Sequence, residues 1–274
     1  MFEHCYFHKK MQTYKWNAVD YAKSSSVQQQ WARELIRKLN LKGNESLLDI
    51  GSGDGKVTAE IASLLPNGSV MGIDSSKDMI VLAQRMYPRD AFINLQFQRE
   101  DANNLPFENE FDVIFSNATL HWILDHSPVL RGVFAGLKRG GKVLLQMGGR
   151  GNAGEVMDAL KRIIMREEWR KCFEGFSFSY GFYGPDEYRN WLREAGLDTK
   201  RVELIPKDAA FQGRTGLESW IRTTWLPYTQ QVPGEKREIF ISQLADDYLR
   251  LHPADENGMV HVNMIRLEVE ALKM

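Results

Sequence analysis

Cysteine is nearly missing from this chain. Cys5 and Cys172 are the only two in 274 residues, which excludes a disulfide framework and makes a reducing cytoplasm the expected compartment. No apolar run approaches the roughly 20 residues of a membrane span. The opening MFEHCYFHKK is mixed and polar where a signal peptide would be apolar, so a membrane is not an expected partner. Charge of one sign is also lacking. The net charge of −1 offers no basic excess, and nucleic acid is not an expected partner either. Internal repeats and low-complexity segments are absent. His4, Cys5 and His8 are possible metal ligands, but they read as a loose terminus, and no metal is expected. What is present, 43% hydrophobic and 26% charged residues, suits a soluble globular protein, either one large domain or a domain with a cap.

The most informative stretch is Leu47–Thr58, LLDIGSGDGKVT. Leu47, Leu48 and Ile50 form an apolar run short enough for a buried strand, with Asp49 inside it. Gly51, Gly53 and Gly55 alternate after it, and Val57, Ile61, Leu64 and Leu65 then repeat with a helical period. Strand, glycine turn and helix open a nucleotide-binding βαβ unit, in which glycine lets the backbone turn tightly and lie against a ligand. A second strand pattern, Ser69–Ile73, ends in Asp74. A carboxylate roughly 20 residues after the first glycine accepts from ribose hydroxyls, as NAD or S-adenosylmethionine would require. Lys56 stands where a dinucleotide fingerprint needs glycine or alanine, and a Walker-type phosphate loop is missing too.

The pattern Asp-x-Gly-x-Gly-x-Gly resembles motif I of the class I S-adenosylmethionine-dependent methyltransferases. Further stretches match that family in order. VMGIDSS, Val70–Ser76, resembles its second strand with the ribose-binding acid, and QREDANNLP, Gln98–Pro106, its adenine loop. FDVIFSNATLHW, Phe111–Trp122, resembles its fourth strand, and LKRGGKVLLQ, Leu137–Gln146, its entry into the fifth. The resemblance implies an α/β, Rossmann-like, seven-stranded doubly wound sheet. Its order is 3-2-1-4-5-7-6, with the last strand antiparallel and closing the sheet edge. One domain is expected over 1–274, with a cofactor-binding core at 45–148 and cap insertions at 149–184 and 211–257, neither large enough for a core of its own. Further elements are expected at Val143–Met147, Glu155–Phe173, Asp186–Ala195, Thr199–Ile205 and Val260–Val269.

The resemblance also implies site residues. For S-adenosylmethionine, and its product S-adenosylhomocysteine, these are Asp49, Gly51, Ser52, Gly53, Asp74, Ser75, Met79, Asp101, Ala102, Asn117 and Ala118, with Tyr21 and Gln28 from a segment ahead of motif I. Trp16, Trp122, Tyr183, Arg222 and Trp225 are expected at the acceptor, a small molecule. Trp31, Leu35, Ile36 and Leu39 form a helical stripe that reads as packing on the sheet. Monomer or homodimer is the expected assembly.

Within the family the layout is most similar to trans-aconitate and other small-acid carboxyl methyltransferases. NATLHWILDH, Asn117–His126, and GLESWIRTTWLPY, Gly216–Tyr228, carry that similarity. His121 stands where those relatives typically have Gln. A Gln can only hydrogen-bond an acid, whereas a His with its usual pKa of about 6.5 can also act as a base. Carboxylate O-methylation is therefore the first reading. Methylation of a phenol, amine or carbon nucleophile with His121 as base is the second, and a non-catalytic S-adenosylmethionine-binding or regulatory protein is the third. If the acceptor is an acid, Arg222, among aromatics and threonines, is the expected cation. Arg266 is expected at the surface.

Overall fold

Leu47, Leu48 and Ile50 are almost fully buried, and the strand they belong to lies inside the sheet, with a strand on either side. The computed structural model describes residues 26–274. A first helix, α1 (Ser26–Leu39), leads into β1 (Ser46–Ile50), α2 (Lys56–Ser63), β2 (Ser69–Asp74), α3 (Lys77–Met86), β3 (Leu95–Arg99) and β4 (Phe111–Asn117). Then come α4 (Ser127–Gly136), β5 (Leu137–Gly148), α5 (Gly154–Ile164), α6 (Glu167–Arg170), α7 (Pro185–Ala195) and β6 (Asp198–Gln212). The chain ends with α8 (Gly213–Thr224), α9 (Leu226–Thr229), α10 (Arg237–Leu249) and β7 (Met259–Leu272). Among the described residues no helix is long and apolar enough to cross a membrane.

The sheet order is 3-2-1-4-5-7-6, as the resemblance implies. Strands β1 to β5 are parallel to one another, and β7 runs antiparallel to both β5 and β6. The expectation that β7 closes the edge is wrong. It lies between β5 and β6, and β6 is the edge. Parallel strands feed crossover helices to both faces. On one face α1, α2 and α3 bury Leu35, Leu39, Ile61 and Ile80 against Val113 and Phe115. On the other, α4 and α7 bury Val129, Val133, Tyr188 and Leu192.

Strand β7 pairs with β5 only from Leu272 back to Arg266, but with β6 from Leu272 back to Met259. Beyond Arg266 the two strands therefore leave the sheet as a two-stranded ribbon. That is why both are longer than Thr199–Ile205 and Val260–Val269 predict. The alternation continues into the ribbon, where Val260, Val262, Met264, Ala209 and Phe211 are buried against the insertions rather than the sheet. The insertions and the ribbon share a third core with Trp169, Trp220, Phe240 and Leu244, to which both insertions contribute. Trp31 belongs to this cap core, while Leu35, Ile36 and Leu39 meet the sheet. The helix expected over Glu155–Phe173 breaks at Arg166, whose ψ of 145° is extended. Arg166 and Arg162 both turn to the carboxylate of Asp247 on α10.

Candidate active site

The glycine turn after β1 is set by backbone hydrogen bonds. The N–H groups of Gly51 and Ser52 both donate to the carbonyl of Ile73, at 2.8 and 2.9 Å. Gly51 and Gly53 have φ of 79° and 54°, a left-handed conformation that glycine adopts at little cost. A Cβ on Gly51 would lie 2.1 Å from Thr119, whereas one on Gly53 would meet nothing within 4 Å. Asp74, at the end of β2, accepts from Gly53 N–H at 3.0 Å and from Ser76 N–H at 2.8 Å. Burial pushes its carboxyl group up, against the pull of those two donors.

These groups border a cavity of about 1120 Å³ at the carboxyl ends of the parallel strands, roofed by the cap. Open α/β sheets place their ligands there. Of the sequence-predicted residues, Gly51, Gly53, Asp74, Ser75, Met79, Asp101, Ala102, Ala118, His121, Trp122 and Trp225 line it. Asp101 accepts from the backbone and side-chain N–H groups of Asn103 through one oxygen, both at 2.9 Å.

The turn after β4 carries His121 and Trp122 and is held from beneath. Nε2 of His126 lies 2.8 and 2.9 Å from the carbonyls of Leu120 and Ile123, and its Nδ1 meets the hydroxyl of Tyr188 at 2.5 Å. The carbonyl of His121 accepts from Gly181 N–H at 2.8 Å, which ties the turn to the aromatic segment of the cap. A side chain on Gly181 would press to 2.3 Å from the carbonyl of Ile123. His121 itself is 8% exposed. Burial first, then the positive charge of Arg266 and of His126, hold its pKa well below the usual 6.5. Its Nδ1 accepts from Gly148 N–H at 3.4 Å, which leaves the proton of the neutral ring on Nε2. At neutral pH this side chain is a hydrogen-bond donor and a poor base.

Other predicted residues are off the wall. Asp49 is buried inside β1, accepts from Thr58 Oγ1 at 2.7 Å, and is pushed up to about 7 by desolvation. Ser52 and Asn117 are not on the wall either, but Ser52 Oγ and Asn117 Oδ1 are buried with no partner among the described residues. Tyr183 turns away. It packs edge-on against Trp191 at 4.7 Å, and its hydroxyl donates to the carbonyl of Leu124. Arg222 also misses the cavity, because its guanidinium holds the carboxylate of Glu238 in a two-pronged pair on an exposed surface. Trp16, Tyr21 and the side chain of Gln28 lie outside the described residues.

Arg266 reverses its expectation. It is 5% exposed, lines the cavity, and its guanidinium sits 5.0 Å over the ring of Trp31. It marks the point where the ribbon leaves the sheet, paired with Gly148. The signal for it was alternation. Val260, Val262, Met264 and Arg266 share one face of β7, and all are buried. Trp225, also on the wall, buries its indole N–H with no partner among the described residues. No cluster of His, Cys, Asp and Glu among those residues is placed to hold a metal ion.

Residues 41–196 match a family model described as a methyltransferase domain. An uncharacterised methyltransferase of Schizosaccharomyces pombe is 33% identical over 196 residues, 70% of this chain and 74% of the relative. A trans-aconitate 2-methyltransferase of Methylobacterium nodulans is 26% identical over 257 residues, 92% and 96% of the two chains. Among solved structures, the phosphoethanolamine N-methyltransferase 2 of Haemonchus contortus in complex with S-adenosyl-L-methionine superposes with a TM-score of 0.60 at 18% identity. That match covers 93% of this chain and 56% of the other.

Proposed function

This chain belongs to the class I methyltransferase family, and from that premise we propose that it methylates a small-molecule carboxylate at oxygen. Its methyl donor is S-adenosylmethionine. The residues fit that cofactor on their own chemistry. The left-handed glycine turn keeps side chains away from the ligand, and Asp74 offers an oriented carboxylate at the end of β2. Ser52 Oγ, which can donate or accept, and Asn117 Oδ1, an acceptor, are buried with no partner among the described residues, which supports a polar ligand there. When bound, the cofactor supplies an already activated sulfonium methyl, so the chain needs to align the acceptor and exclude water rather than generate an electrophile.

The observation that carries the carboxylate reading is the buried Arg266 beside a neutral His121. A guanidinium has five N–H donors in a planar fork, so contacts with other groups do not exhaust its capacity for a carboxylate. A carboxylate, with a pKa of about 4, is ionised at neutral pH and needs no base. His121 is suited to that task because it offers Nε2–H, and ill suited to deprotonating a phenol or amine. The trans-aconitate relative supports the same acceptor chemistry.

The test is methyl transfer to matched panels of carboxylic acids, phenols and amines, with native protein and His121→Gln. Acids are expected to turn over, with kcat/KM flat between about pH 6 and 8.5, because burial holds His121 well below its usual pKa. His121→Gln should retain activity within about tenfold, since an amide also donates a hydrogen bond. Turnover of phenols or amines alone, with a rising limb near pH 6.5 that His121→Gln removes, would restore the base role and sink the proposal.

A further inference from the structure

We infer that the acceptor is a monocarboxylic acid with a bulky apolar body, not a short polyacid. The inference rests on the carboxylate reading above and adds what stands behind the reacting group.

The wall of the cavity changes character from the glycine turn to the cap. On the cap side it is formed by Trp122, Phe178, Tyr180, Phe211, Trp220 and Trp225. These rings brace one another. Phe178 and Tyr180 meet edge-on at 4.8 Å, Tyr180 and Trp225 at 5.6 Å, and Trp220 and Trp225 at 5.7 Å, while Phe211 and Trp220 stack at 5.1 Å. A wall of rings already held by neighbours loses little side-chain freedom when a ligand arrives, so apolar contact there converts into affinity with small ordering costs.

Charge points the same way. Among the described residues, six acidic side chains line the cavity against three basic ones, Lys77, Arg99 and Arg266. Lys77 begins α3, and Arg99 Nε donates to the carbonyl of Ser75, so both sit at the β2–β3 end. On the cap side the described cation is Arg266, and the acids are Glu174 in the cap and Asp125 in the turn that carries Trp122. One guanidinium forks one carboxylate. A second or third carboxylate of a polyacid would be buried against aromatic faces near Glu174, and an ionised group taken out of water without a partner is strongly disfavoured. The cavity of about 1120 Å³ also exceeds the roughly 300–1,000 Å³ typical for one ligand, which leaves room for a body beside the cofactor.

The experiment is a chain-length series on the full-length protein with saturating S-adenosylmethionine. Straight-chain and phenyl-substituted monocarboxylic acids are compared with short di- and tricarboxylic acids, and with phenols and amines carrying the same apolar bodies. The expected result is a kcat/KM that climbs about fourfold per buried methylene, with the polyacids at the bottom. A tricarboxylic acid that outpaces every apolar acid overturns the inference and leaves the carboxylate reading standing. Inert acids beside methylated apolar phenols or amines overturn the carboxylate reading, and this inference with it, by a different signature. Phe178→Ser and, separately, Trp220→Leu should flatten the chain-length slope. Because the slope is a ratio within one preparation, a partly unfolded variant still reports it. An unchanged slope in both variants would remove the aromatic wall from acceptor selection.

Discussion

At the β1–β2 end of the cavity, the lining groups are fixed by backbone. Gly51, Gly53 and Asp74 are set by N–H donors from the turn and by left-handed glycines. At the cap end the wall is built from side chains of distant segments, with Trp122 after β4, Phe178 in the cap, Trp220 on α8 and Arg266 on β7. The first end is made of two short stretches, the turn after β1 and the end of β2, tied together by backbone hydrogen bonds. The second is assembled by packing, so its chemistry can be altered one side chain at a time. A fixed donor site beside a variable acceptor site is how one fold serves many acceptors.

The sharpest way to break this contrast is Gly51→Val. Its Cβ would lie 2.1 Å from Thr119, at a φ of 79°. Strain and displacement together should weaken cofactor binding at least about a hundredfold, read by calorimetric titration with S-adenosylhomocysteine. Near-normal binding would mean that the glycine turn is not the rigid end. Arg266→Met tests the other end. Acceptor kcat/KM should fall by about 30- to 1000-fold, the cost of removing one partner of a buried charged pair, while cofactor affinity stays within about twofold. A parallel loss of cofactor binding would erase the division between the two ends. Arg222→Ala should change neither quantity by more than about twofold, because an exposed ion pair contributes about 0–1 kcal/mol. A large loss of turnover in that variant would bring α8's outer face into the site.

How much of this was legible beforehand follows from the same contrast. The backbone end was legible because it lies in short stretches, the glycine turn and the acid at the end of the second strand, whose order matches the family motifs. The sheet order was implied by the resemblance that those motifs carry, and the structure has it. The cap end was read less well. GLESWIRTTWLPY looked like a pocket wall, and Trp220 and Trp225 do line it. On a helix, however, successive residues point about 100° apart, so Arg222 faces Glu238 while Ile221 beside it is fully buried. Arg266 was misread because the expected strand began the apolar alternation of Val260, Val262 and Met264 but a charged residue at the next position reads as an exposed one. Only the continuation of β7 beyond the sheet gives it an interior face. Asp49 was read as a ligand contact because it precedes the glycines, yet strand alternation turns it toward Thr58.

The position of β7 also orders events during synthesis. Translation delivers β6 long before its only sheet neighbour, and β5 has to wait for the same strand. A nascent chain that has not yet reached Met259 therefore holds an unpaired β5 edge, the kind of surface that recruits other strands. The same late strand brings Arg266. Arg266 and the sheet's last hydrogen bonds thus arrive together. A product truncated before β7 would be an aggregation hazard as well as an inactive enzyme.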